Sequence, residues 1–183
     1  MRENIFRGKS IKTKEWVEGF YLEVRHHDDA SHIHVFIMPP EKCVDTGVPA
    51  GEECSLMVEV DPVSVGQYIN VRNLPSGRKL FEGDILQYYD DEIQVIRWED
   101  DWNRLMLVSY AVRVKKEGGK FIEEVTKGWN ELWDYDLEQM KYLGNIHDNP
   151  KMIDEVLNSI NERMLRTKKQ LEDIYKGRKK QSR

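Results

Sequence analysis

Long apolar runs are missing from this chain, as are most of the devices by which a small protein staples itself. No stretch reaches the ~18 apolar residues that a membrane-spanning helix needs, so no such helix is expected. Met1-Arg2-Glu3-Asn4 is charged and no apolar segment stands behind it, which argues against a secretory leader. There are two cysteines, Cys43 and Cys54, too few for a disulfide framework, and free thiols in a cytosolic setting are the simplest expectation. The glycine-rich phosphate loop ending in Gly-Lys-Ser/Thr is absent, and so is the dinucleotide glycine fingerprint. Neither a nucleophile elbow nor a His-Glu-x-x-His metal motif occurs.

What is present points to a folded chain. Five Trp and eight Tyr in 183 residues exclude wholesale disorder, because disordered chains are poor in aromatics. The net charge of -5 is unevenly spread. Lys151 to Arg183 carries ten Lys/Arg against five Asp/Glu, a local +5, which leaves -10 for the rest. An acidic body repels nucleic acid, whereas the basic end suits a phosphate backbone or an acidic partner.

Short strand patterns separated by close turns dominate. Trp16 to Val24 and Ser31 to Met38 read as two strands around the polar His26-His27-Asp28-Asp29. In the second, His32, His34 and Phe36 share one face under period two. Ser55 to Val60, Asp84 to Tyr89, Ile93 to Trp98, Leu105 to Val114, Lys120 to Val125 and Lys141 to Ile146 follow. Pro75-Ser76-Gly77 is a turn signal, and Gly118-Gly119 marks a hairpin. This series predicts a mainly β (α+β) protein whose body, residues 1–148, is a small curved antiparallel sheet or SH3-like barrel.

The period then changes. Asn149 and Pro150 have the chemistry of a helix start. Ile153, Leu157, Ile160, Met164, Thr167, Leu171 and Ile174 recur at alternating spacings of four and three, a heptad seam with one polar member. An amphipathic helix is expected over 149–176, fading at Gly177 into a basic tail, 177–183. The apolar members of the seam, Ile153, Leu157, Ile160, Met164, Leu171 and Ile174, need cover, either from their own sheet or from a second copy.

Three groups of residues have the types that chemistry uses. Glu82 and Asp84 flank Gly83, and in a flat strand they would face together as a carboxylate pair. Gly83 argues instead for a bend, so Glu82-Gly83-Asp84 reads better as the corner that launches Ile85-Leu86. His26, His27, His32 and His34 crowd into nine residues and could hold zinc with Asp28, but no standard ligand spacing is present and a solvated face is the simpler reading. Trp98 and Trp102 bracket an acidic turn, unlike the basic groove of a single-strand binder. Trp129 and Trp133, at i and i+4, read as one face of a short helix.

Three segments resemble a known family. Phe6-Arg7-Gly8-Lys9 with Glu15-Trp16-Val17-Glu18-Gly19 looks like the opening of the YopX-like proteins of phages and prophages. Val65-Gly66-Gln67-Tyr68, a turn at Gly77, and Phe81-Glu82-Gly83-Asp84-Ile85 resemble its most recognisable segment. Tyr142-Leu143-Gly144-Asn145-Ile146-His147-Asp148-Asn149-Pro150 is a third match, in family order. The resemblance implies a small mostly-β fold, a viral or prophage origin and no assigned catalysis; a cytoplasmic location, that of the bacterial host for a phage protein, and no cofactor are expected beside it. It transfers no catalytic residues. Gly66, Tyr68, Gly77, Glu82, Gly83 and Asp84 are then expected to be structural turn residues. The combined expectation is a non-enzymatic accessory protein working through self-association or protein binding, with a nucleic-acid module on the basic end and a metal-dependent hydrolase at His26–His34 as alternatives.

Overall fold

The computed structural model describes residues 3–25, 33–40, 56–70, 77–88, 92–117, 120–131, 137 and 139–181. The chain divides into two compact units, Met1–Gly83 and Asp84–Arg183. The division at Gly83 falls inside the span that the strand pattern presents as one body.

The first unit is an antiparallel sheet of β1 (Phe6–Lys9), β2 (Trp16–Arg25), β3 (Ile33–Met38), β4 (Val58–Val60) and β5 (Gly66–Gln67), in the order β4-β3-β2-β1-β5. Alternation sends Val35 and Ile37 of β3 to one side, where they are buried with Val60 and packed by Phe6, Val17, Val58 and Val65. After β4, the Asp61 carboxylate accepts the Val63 N–H at 3.1 Å and so caps a 3-10 turn over Pro62–Ser64. Ile5, Tyr68 and Phe81 make a second, smaller core.

The second unit is an antiparallel sheet of β6 (Asp84–Tyr88), β7 (Glu92–Glu99), β8 (Arg104–Glu117), β9 (Lys120–Asn130) and β10 (Lys141–Asn145), in the order β10-β6-β7-β8-β9. A helix, α1 (Met152–Gln181), follows. Ile93 and Val95 share a face by period two, and Ile85 stands opposite Val95. Ile160 of α1 is buried against these three, and Met152, Ile153, Val156, Leu157 and Met164 pack around it. Burying a side chain of this size stabilises by roughly 1.5–3 kcal/mol. Leu165, next along the helix from Met164, is 46% exposed. Among the described residues, no helix is long and apolar enough to cross a membrane.

The curved-sheet or SH3-like barrel expectation is overturned. Among the described residues, ten strands form two five-stranded sheets, and neither is closed into a barrel or strongly curled. Closure requires a ladder between the outermost strands. A single bridge, Ser10 to Val60, ties the residue after β1 to β4, and it does not extend into one. Trp129 also departs from its helical reading, because β9 carries it opposite Val108. Gly177 does not stop α1, which continues to Gln181.

Candidate functional site

Residues of the first two family-like segments meet in the first unit. Arg7 lies in β1 between Glu18 of β2 and Gly66 of β5. Its guanidinium carbon is 4.7 Å from the ring centre of Trp16 and 4.7 Å from that of Phe81. Tyr68 continues the stack, its ring 5.6 Å from Phe81. Lys9 caps one end, 5.6 Å from the Trp16 ring, and Lys79 the other, 5.7 Å from Tyr68. Arg7 and Phe81 are both buried, and a cation–ring attraction reaches about 2 kcal/mol where water is excluded. The Arg7 guanidinium thus ties rings from separate segments together.

Close approaches, to backbone at Gly66 and to a side chain at Gly8, account for two glycines of the same segments. A Cβ on Gly66 would lie 2.5 Å from the Glu82 carbonyl oxygen. A Cβ on Gly8 would lie 2.9 Å from Val60. The Glu82 amide donates to the Gln67 carbonyl at 2.9 Å, and Gly83 adopts a φ of 87°. That angle breaks the flat geometry a carboxylate pair would need. Gly77 is also left-handed, with a φ of 65°. Pro75 and Ser76 lie outside the described residues.

Asp84 belongs to the second unit, where the third segment receives it. It is fully buried at the start of β6, paired in register with Asn145 of β10. Asn145 Nδ2 donates to Asp84 Oδ1 at 3.2 Å, and the Tyr142 hydroxyl approaches the same oxygen at 3.5 Å. Asn145 Oδ1 accepts the His147 N–H at 2.9 Å, and its carbonyl accepts the Asn149 N–H at 2.9 Å. The Asn149 carbonyl in turn accepts the Met152 N–H at 3.0 Å, where α1 begins. A Cβ on Gly144 would stand 2.6 Å from Asn149 Oδ1. Every named member of Tyr142–Asn149 here serves the strand-to-helix junction.

Three sequence segments thus become two packing sites in family order. The YopX protein family model matches residues 5–154. This chain belongs to the YopX family. No curated protein and no solved structure matches it. The YopX match ends in the first turn of α1, so most of that helix lies beyond it.

Outside those YopX packing sites the histidine region is only partly described. His34 Nδ1 lies 2.7 Å from Glu59 Oε1, with both side chains largely in solvent. His26, His27, Asp28, His32, Cys43 and Cys54 lie outside the described residues. Among the described residues, no group of three or more His, Cys, Asp or Glu is placed to hold a metal ion.

Exposed apolar and aromatic side chains lie outside these motifs. Phe20, Leu22 and Val24 of β2 are 44%, 43% and 42% exposed. Alternation puts them on one face, opposite Met38, Phe36 and His34 of β3. The signal was legible as apolar residues at both parities of Phe20-Tyr21-Leu22, a pattern that a half-buried strand avoids. Trp98, Trp102 and Trp129 are exposed as well, and the ladders put Trp129 on the sheet face of Val108 and Val95 and Trp98 on the opposite one. Trp98 Nε1 donates to Asp100 at 3.1 Å, Arg104 lies 5.7 Å from the Trp102 ring, and Lys127 lies 4.9 Å from the Trp129 ring.

The expected assembly residues divide along α1. Ile153, Leu157, Ile160 and Met164 are spent on the helix's own sheet. The side chains of Leu171 and Ile174 lie outside the described part.

Proposed function

We propose that this YopX-family chain is a non-enzymatic phage or prophage accessory protein, working in the host cytoplasm by binding proteins, a second copy of itself among them. The observation that carries this reading is the exposed apolar face of Phe20, Leu22 and Val24 on the β2–β3 pair. Contiguous apolar surface of this kind marks interaction sites. Its rim is polar: Lys79 lies 3.6 Å from Glu18, and His34 pairs with Glu59. An apolar centre inside a polar rim is the anatomy of a protein interface. The buried Arg7 stack and the Asp84–Asn145 junction fit structural roles, which leaves surfaces to carry the activity.

A photo-reactive residue at Leu22, in the full chain expressed in its host, tests the reading. Protein adducts at Leu22, with none from a control at exposed Glu162 on α1, support it. A Leu22 position that captures no protein overturns it.

Nucleic acid is the second reading, favoured by the cation–aromatic pairs Arg104–Trp102 and Lys127–Trp129, a combination that single-strand binders use. Both cations are also drawn to acids, Arg104 to Glu131 at 2.7 Å and Lys127 to Glu99 at 4.0 Å. Those carboxylates repel phosphate, so protein binding is the better fit. Binding of a labelled single strand that weakens steeply with salt would reverse the preference.

A further inference from the structure

We propose that β9 is a self-pairing edge: two copies join β9 to β9, antiparallel about Val125, into one ten-stranded sheet. The proposal rests on the self-association part of the reading above and names its interface.

β9 is the end strand of its sheet, and among the described residues no strand pairs with its outer side. It runs for 11 residues, Lys120–Asn130. Its ladder to β8 keeps one register from Glu117–Lys120 to Leu107–Asn130, without a bulge. It contains no proline. An edge so long and regular lacks the bulges, prolines and shortness by which other edges are blunted.

Half of that strand is poorly supported by its own sheet. Among the described residues, β7 accompanies β8 as far as Ala111, which stands opposite Glu92. Beyond it, Val112–Glu117 and Lys120–Val125 form a ribbon of two strands. Two strands alone are marginal in water. Pairing about Val125 lays the partner's Val125–Asn130 beside Lys120–Val125. Thr126–Asn130 is the half of β9 whose β8 partners, Leu107–Ala111, are backed by β7. Each copy therefore braces the other's ribbon with its own anchored half.

The residue order fits that register. A two-fold axis normal to the sheet keeps each face on its own side, so residues equidistant from Val125 stand opposite one another. Phe121 then meets Trp129, Glu123 meets Lys127 and Val125 meets itself, all on one face. On the other, Ile122 meets Gly128, Glu124 meets Thr126 and Lys120 meets Asn130. Aromatic pairs and opposite charges directly across a ladder are stabilising, and like charges are not. Neighbouring registers do worse. An axis at Glu123, Glu124 or Lys127 sets a charge against its own copy, and one at Thr126 pairs no charges. Trp129 and Lys127 are both exposed and so accessible to the partner.

Sedimentation equilibrium of the full chain over a wide concentration range tests this, with Lys127→Glu and the double variant Glu123→Lys/Lys127→Glu alongside. The expected result is a wild-type dimer, a dissociation constant raised about tenfold or more by Lys127→Glu, which opposes Glu123 with a second acid at two symmetric positions, and recovery in the double variant. Thermal unfolding of each variant separates lost pairing from lost fold, and recovery cannot come from a merely damaged sheet. A wild-type dimer indifferent to Lys127→Glu overturns the β9 interface and leaves self-association standing. A chain monomeric at every concentration overturns both, and leaves the Leu22 crosslinking test of protein binding untouched.

Discussion

Gly66 and Glu82 press backbone against backbone, so that a Cβ on the glycine would lie 2.5 Å from the Glu82 carbonyl oxygen and 3.2 Å from its carbonyl carbon. Gly66→Ala should therefore cost about 1–3 kcal/mol, the usual penalty of overpacking. Gly77 offers a contrast. Among the described residues beyond its chain neighbours, no atom lies within 4 Å of a Cβ there, and its left-handed φ of 65° is what opposes a side chain. Gly77→Ala should cost about 1 kcal/mol. Urea unfolding of both variants gives the order directly. A Gly66→Ala chain as stable as wild type would refute the contact.

Ile160 and Leu165 test where α1 is held. Ile160 is 2% exposed inside the second core. Ile160→Ala should lower stability by about 2–5 kcal/mol, since the surrounding sheet cannot fully collapse into the space. Leu165→Ala should change it by no more than about 0.5 kcal/mol. Chemical denaturation distinguishes the two, and equal effects would mean that the helix does not rest on β6 and β7.

Asn145→Leu removes the amide that faces Asp84 and the oxygen that accepts the His147 N–H. Leaving buried polar groups without those partners should cost about 1–3 kcal/mol for each group stranded. Tyr142→Phe, which removes a longer approach of 3.5 Å, should cost less. A thermal melt in which Tyr142→Phe is the more damaging change would contradict this ranking.

Glu23 reports on one face of β2 through pH. Hydrogen bonds from Arg25 first, and Tyr21 second, hold its carboxyl below the usual range. The Tyr21 phenol is pushed up, chiefly by desolvation and then by its bond to Glu23. A carboxylate lowered by folding adds stability above its ordinary pKa, and that contribution disappears as the pH falls through the lowered midpoint. Arg25→Gln should raise the Glu23 midpoint in a carboxyl NMR titration. No movement would show that the bond at 2.8 Å does not persist in solution.

Strands were legible because their cause is local. Ile93, Val95 and the residues opposite them announce themselves by alternation and by the turns at either end. Which edges meet is a long-range matter, and hairpin spacing says nothing of it. For that reason hairpin spacing alone does not separate two open sheets from one curved sheet or SH3-like barrel. The seam of α1 was visible at Ile153, Leu157, Ile160 and Met164, but a stripe records only that cover is needed. Its own sheet supplies the cover for those four. Trp129 misled because i, i+4 spacing carries no weight against an 11-residue ladder. Gly177 misled because a helical glycine costs only about 1 kcal/mol, a penalty and not a stop. The Arg7 stack was unreadable in advance, since its rings come from three separate segments.

The packing of Ile160 on β6 and β7 has a consequence for synthesis. The strands of the first unit all lie within Met1–Gly83, so that unit can fold while the ribosome is still translating the second. The second sheet has no such freedom. Ile85, Ile93 and Val95 emerge long before the helix that shields them. Throughout that interval their apolar face is open to chaperones, or to the same face on a neighbouring nascent chain of the polysome.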